Sequence, residues 1–355
     1  MKICFLGDIR SDHVKKFIKF FAPDNETILI SLDYLGDSRV VEGIKFFNRI
    51  GTTINFIKKS DLLKSPFIVR QMIKEINPDI LQAHFITNYG FLGACSGHHP
   101  LIIFAMGDDI LIHPFQSFIY KCFIKYSIWR ADFITCDGFN SLGNLMDFGV
   151  PKSKLKLIYP GIDMKQFKPI YKIQKEKRVF YMRGFDKIYD VDLLFNTIRI
   201  IHNTMPEVKF DLLGNGTEIE RFKNMIKENG MEDSITYLGY IQNEDVYKHI
   251  ISSSVVITTS LSDGGMPVST IESMACGVPV VSTNVGDVKM WIQNGVNGYV
   301  TDRNPLIMAD SIITLLKDDE KRIKFGKAAR ERVEKDQDYF IEMNKIKYIY
   351  MKLLE

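Results

Sequence analysis

Short apolar runs alternate along the chain with longer stretches whose apolar positions recur at helical spacing. In the first half the runs are Ile3–Leu6, Thr27–Ser31, Ile80–Ala83, Leu101–Ala105 and Phe133–Cys136. In the second they are Arg178–Met182, Lys209–Leu213, Ile235–Leu238, Val255–Thr258, Pro279–Ser282 and Gly298–Val300. Strand-like runs separated by helix-length intervals predict parallel sheets covered by helices. The alternation restarts at Arg178, after YPGIDMKQFKPIYKIQKEK (159–177), whose Pro160, Gly161, Pro169 and clustered lysines read as a connection. The expectation is an α/β protein of two Rossmann-like domains, 1–168 and 169–337, facing each other across a cleft at the carboxyl ends of their strands. The charged helical segment Asp319–Glu355 ends in residues 338–355, which could rejoin the first domain.

Composition narrows the partners. A chain of 355 residues is more than one hydrophobic core usually organises. With 46% apolar and 25% charged residues it is neither disordered nor fibrous. A net charge of +3 is too small for nucleic acid as the main partner. The basic excess lies in residues 1–170, where 21 basic residues face 16 acidic ones, so an anionic surface could be met there. The five cysteines are scattered and the seven histidines lack ligand spacing, so neither a disulfide frame nor a metal site is expected. MKICFLGDIR enters a strand without a cleavable signal pattern, and no apolar run reaches the ~20 residues of a spanning helix. The expected location is the cytoplasm, either free or peripheral on the inner face of the cytoplasmic membrane. The segment Ser117–Arg130 reads as a core-facing helix with a basic edge (Lys121, Lys125, Arg130), or as a helix resting on anionic lipid.

Two strand-to-helix junctions carry the chemistry. FDLLGNGTEIERF passes from a strand through Gly214-Asn215-Gly216 into a helix, where backbone can approach a ligand and amide groups can meet an anion. TTSLSDGGMPVSTIESMACGVPVV passes from a strand into a polar loop holding Asp263, Gly264, Gly265 and Met266. Pro267 opens the following helix, and Glu272 lies one and a half turns along it, a carboxylate able to accept two ribose hydroxyl protons. Asp190-Val191-Asp192 reads as helix capping and not as a metal-binding pair.

The run from Val179 to Tyr299 resembles the family 4 (group 1) retaining glycosyltransferases of GT-B fold. Their pattern E-G-x-P-x-x-x-x-E-A-M-A-x-G-x-P-V is matched here by Gly265, Pro267, Glu272, Met274, Ala275, Gly277, Pro279 and Val280. The first glutamate of that pattern falls on Gly264, with Asp263 one place earlier, so either Asp263 makes the acidic contact to the donor sugar from a shifted loop or that contact is missing. VFYMRGFDK is similar to the strand and loop that hold the donor diphosphate, which implies Arg183 and Lys187 as catalytic cations beside Glu272. In the first half, FLGDIRSDH, INPDILQAHF and PLIIFAMGDDIL are similar to the acceptor side, pointing to Asp8, Arg10, His13, His84 and Asp109; the usual histidine is Met106. The resemblance implies retaining transfer of a hexosyl or N-acetylhexosaminyl group from a UDP- or GDP-sugar to a glycan or lipid-linked acceptor. It implies no obligatory metal, and a role in cell-surface polysaccharide or glycolipid synthesis. A nucleotide-sugar epimerase on the same fold, and a non-catalytic nucleotide-sugar-binding protein, remain open alternatives.

Overall fold

The computed structural model describes residues 1–32, 38–173, 176–241, 243–263 and 265–355. Its contacts divide the chain into one unit of Met1–Gly161 with Phe340–Glu355 and a second of Ile162–Tyr339. The first unit holds β1 (Lys2–Leu6), β2 (Glu26–Leu32), β3 (Thr53–Ile57), β4 (Ile80–His84), β5 (Leu101–Ala105), β6 (Phe133–Cys136) and β7 (Leu155–Leu157). The second holds β8 (Arg178–Met182), β9 (Lys209–Leu213), β10 (Ile235–Gly239), β11 (Val255–Thr258), β12 (Val280–Thr283) and β13 (Gly298–Thr301). All the recorded pairings are parallel, in the orders β3-β2-β1-β4-β5-β6-β7 and β10-β9-β8-β11-β12-β13.

Strands covered on both faces read as unbroken apolar runs, and β4, β5, β11 and β12 are buried from end to end. The helix Val191–Thr204 packs beside Pro305–Lys317 over one face of the second sheet. Asp190 caps the first of these, its carboxylate accepting from Leu193 N at 3.2 Å and pairing with Arg303 at 2.6 Å. The C-terminal segment divides between the units. The helix Asp319–Asp336 stays with the second, where Gly326 lies against the Gly277 carbonyl so closely that a Cβ would stand 1.9 Å from its oxygen. The helix Tyr339–Leu354 belongs almost wholly to the first. Its buried Tyr350 stacks on Phe21 at 4.8 Å and bonds Gln82 Oε1 at 3.1 Å.

The two ends of the second unit lie side by side, joined by a parallel bridge between Ile162 and Asp338. Ile162 N donates to Gln337 O at 2.8 Å, and Tyr339 N to Ile162 O at 3.1 Å. The buried Arg330 guanidinium donates to Phe167 O and Ala275 O at 2.5 and 2.7 Å, fastening residues 164–167 to the end of the helix Val268–Ala275. One element carries a surface beyond those expected of it. The helix Phe118–Arg130 buries Ile124 and Ser127, yet its opposite face is also apolar, with Phe118, Ile119 and Trp129 exposed. The expected core face and solvated basic edge are both present, with Lys121 and Lys125 exposed, and the apolar strip lies beside them as a third surface.

Candidate active site

In a doubly wound sheet, ligands collect at the carboxyl ends of adjacent strands whose connections leave in opposite directions. In the second sheet those strands are β8, followed towards β9, and β11, followed towards β12. Arg183 directly follows β8, and residues 259–267 follow β11. The two meet there: Arg183 Nη2 lies 2.5 Å from Asp263 Oδ2, both side chains largely buried. The guanidinium also lies 5.0 Å from the centre of the Tyr189 ring. Arg183 Nε is buried without an acceptor among the described residues. The loops are drawn together by their backbones, Leu261 N donating to Ile188 O at 2.7 Å and Thr259 Oγ1 to Tyr189 O at 2.6 Å.

The glycine turn after β9 is pressed against the same loop. Gly214 has φ +124°, and a Cβ there would stand 2.1 Å from Arg183 O. A Cβ on Gly216 would stand 2.3 Å from the Phe185 carbonyl carbon. Phe185 N donates to Asn215 O at 3.0 Å and Glu218 N to Phe185 O at 2.7 Å, while Thr217 N reaches Asp186 Oδ1 at 2.8 Å. Protein acceptors thus take the amides of residues 217 and 218, and Ile219 N bonds Gly216 O at 3.3 Å. The glycines admit the close backbone packing that holds Arg183 in place.

The second junction is equally tight. Gly265 is buried, and its carbonyl accepts from Asp287 N at 3.1 Å. A Cβ on Gly286, at φ +50°, would stand 2.0 Å from that same oxygen. Met266 is buried, and Pro267 caps the helix Val268–Ala275, its carbonyl accepting from Thr270 N at 3.0 Å. Glu272 is half-buried on this helix, and its charge, after burial, helps raise the Cys276 thiol far above its usual range. Lys187 is exposed at the start of the turn Lys187–Tyr189 and forms no ion pair among the described residues. Gly264 lies outside the described residues.

In the first unit, the carboxyl end of β1 brings two of the expected residues together. Arg10 Nη2 and Nε reach the Asp8 carboxylate at 2.7 and 3.0 Å, a two-pronged pair that remains partly exposed. Of the other three, His84 and Asp109 differ from expectation. His84 is completely buried among Phe5, Phe17 and Phe104, and burial first, then His13, lowers its pKa to about 3. His13 has a buried Nδ1 without a partner among the described residues, and desolvation lowers its pKa to about 4. Asp109 is fully buried, accepting from Ile86 N at 2.8 Å and Thr87 Oγ1 at 2.6 Å. The expectation of His84 and Asp109 as acceptor groups is therefore corrected: His84 serves the core, and Asp109 anchors the segment Phe85–Tyr89. Tyr189 escaped sequence reasoning. An aromatic six places after an arginine gives no sign that the turn between them folds the ring under the guanidinium.

Among the described residues there is no group of three His, Cys, Asp or Glu placed to hold a metal, and no helix long and apolar enough to cross a membrane. Residues 163–332 match the family Glycosyl transferases group 1, and residues 2–138 match Glycosyl transferase 4-like. N-acetyl-alpha-D-glucosaminyl L-malate synthase of Bacillus anthracis is 28% identical over 72% of this chain and 70% of its own length. A GDP-mannose-dependent alpha-(1-6)-phosphatidylinositol monomannoside mannosyltransferase of Mycobacterium tuberculosis is 24% identical over 52% of each chain. Among solved structures, Anabaena HepE in complex with UDP-glucose superposes with a TM-score of 0.83 at 18% identity, covering 99% of this chain and 100% of the other, a likeness of fold. These matches and the paired parallel sheets agree: the chain belongs to the group 1 glycosyltransferases and has the GT-B fold.

Proposed function

We propose that the protein transfers a hexosyl or N-acetylhexosaminyl group from a nucleoside-diphosphate sugar to a glycan or lipid-linked acceptor, with retention at the anomeric carbon. The observation that carries this reading is Arg183 at the β8/β11 crevice, pinned between Asp263 and Tyr189 with an Nε that lacks an acceptor among the described residues. A planar, charged donor array suits the paired oxygens of a diphosphate. Lys187, close by in sequence, supplies a second cation. Glu272 accepts the ribose hydroxyl protons of the donor. Gly214, Gly216, Gly265, Met266 and Pro267 shape the surrounding wall.

The acceptor oxygen attacks the anomeric carbon on the face from which the diphosphate departs. The bond from that carbon to the phosphate oxygen breaks, and the acceptor's proton passes to the departing phosphate. Arg183 and Lys187 stabilise charge growing on that oxygen, where fixed cations act most strongly. This charge balance calls for no obligatory metal. Asp8, Arg10 and His13 are the acceptor-side groups. Relatives whose names include a GDP-mannose-dependent transferase, and a fold neighbour crystallised with UDP-glucose, support UDP- or GDP-sugars as donors. The product belongs to cell-surface polysaccharide or glycolipid, made at the inner face of the cytoplasmic membrane where the protein is peripheral.

A panel of UDP-, GDP- and ADP-sugars tested for thermal stabilisation identifies the donor, since a ligand favouring the native state raises its apparent stability. One class should stabilise the wild type, and Glu272→Ala should weaken that response several-fold. Arg183→Ala should depress turnover more than donor affinity. The anomeric proton coupling of the product reports retention. No response to any nucleotide sugar, or inversion at the anomeric carbon, overturns the reading.

A further inference from the structure

The helix Phe118–Arg130 presents an apolar outer surface that the core does not use. Phe118 is 79% exposed, Ile119 62% and Trp129 71%; Tyr126 is exposed beside them. Phe115, just before this helix, is 76% exposed. The inner face is fully engaged: Ile124 is buried, Phe123 stacks on Phe91 at 4.0 Å, and Ser127 Oγ donates to Ile86 O at 3.1 Å. The exposed side chains are therefore not the unfinished half of a core. A contiguous apolar patch of this kind on a folded domain marks a surface that meets something other than water.

Charge identifies what it meets. From Ile110 to Ala131 the sequence has no acidic residue. Lys121 and Lys125 are exposed among the aromatics, and neither has an ion pair among the described residues. Arg130 lies 5.5 Å from the centre of the Trp129 ring. A second copy of the chain docked face to face would bring like lysines together, because a two-fold contact sets a patch against itself. A bilayer containing anionic lipid satisfies both features, taking the aromatic and aliphatic side chains at its interface and the ammonium groups among its headgroups.

We propose that this outer face, with Phe115, is the surface by which the first unit docks on an anionic bilayer. The inference rests on the peripheral-membrane part of the function proposed above and deepens it; the transfer chemistry is separate. Trp129 provides the probe, since the other tryptophan, Trp291, is only 2% exposed. Phosphatidylglycerol-containing phosphatidylcholine vesicles should sediment the protein and shift its tryptophan emission to shorter wavelength, whereas pure phosphatidylcholine should do so much less. Trp129→Phe should abolish the emission shift. Lys121→Gln with Lys125→Gln should weaken binding to the anionic vesicles about tenfold or more, from the attraction each lysine contributes near such a surface. Phe118→Ser with Ile119→Ser should weaken it as well. Both double variants should retain wild-type thermal stabilisation by the donor nucleotide sugar, which establishes that they fold. The inference is overturned if the wild type ignores anionic vesicles, or if both double variants bind them as the wild type does. It is equally overturned if equilibrium sedimentation shows a dimer that Phe118→Ser with Ile119→Ser dissolves. Vesicle binding without any nucleotide-sugar response would refute the transfer reading and leave the docking surface standing.

Discussion

His84 offers a pH test of the interior. It closes β4 with no exposed surface, 4.7 Å from the Phe17 ring and edge-on to it, and neither ring nitrogen has a partner among the described residues. Burial holds its pKa at about 3 against an ordinary 6.5. Between those values the unfolded chain binds a proton that the folded chain refuses. The stability conferred by a neutral His84 is therefore complete above about pH 6.5 and is lost as the pH falls towards 3. The slope is about 1.4 kcal/mol per pH unit, so moving from about pH 7.5 to about pH 5 costs about 2 kcal/mol through this residue. His84→Leu removes the titrating group while keeping the site apolar. Far-ultraviolet circular dichroism follows unfolding in urea. The wild type should lose about 2 kcal/mol more than His84→Leu between the two pH values, with the denaturant slopes unchanged. Equal losses would show that the folded protein accommodates a charged imidazole at this position, and the argument from burial would fail.

Other predictions concern the second unit. Gly214→Ala places a Cβ against the Arg183 carbonyl as well as straining a positive φ, whereas Gly230→Ala, at φ +65° with open space around it, meets only the strain. Thermal unfolding should show a cost of about 1 kcal/mol for Gly230→Ala and several times that for Gly214→Ala, and equal costs would remove the packing argument. Asp263→Asn ends the competition between a carboxylate and a diphosphate for Arg183. Titration calorimetry at low salt should find the free nucleoside diphosphate bound about tenfold tighter, and weaker binding would make Asp263 an aid to orientation. Arg330→Met leaves the carbonyls of Phe167 and Ala275 without their donor and should destabilise the protein by about 3 kcal/mol in urea unfolding; a loss under 1 kcal/mol would mean that the carbonyls find other donors.

Strands buried on both faces announce themselves as nearly continuous apolar runs, and for that reason Leu101–Ala105, Phe133–Cys136 and Val255–Thr258 were legible to the residue. The strands that escaped, β3 and β7, are edges of the first sheet: TINFI is mostly half-exposed, and LKL is short and carries a lysine. Single residues at strand ends were legible as candidates but not as roles. Arg183 and Asp263 both stood out, yet nothing along the chain shows that they pair across 80 positions. His84 and Asp109 stood out for the same positional reason. What withdraws them is burial by helices and rings from distant segments, which no local pattern reports. The outward apolar strip of the helix Phe118–Arg130 was obscured likewise, because apolar side chains on both its inner and its outer surface leave little periodicity to orient it.

The bridge between Ile162 and Asp338 makes the second unit topologically an insertion, its entry and exit threads adjoining. Excision should respect that seam. A fragment spanning 162–339 retains the carbonyls that Arg330 clasps, whereas one begun at 169 forfeits those of Met164 and Phe167. The remainder, with Gly161 spliced to Phe340 through a brief tether, keeps Tyr350 on hand to close over Gln82 and Phe21.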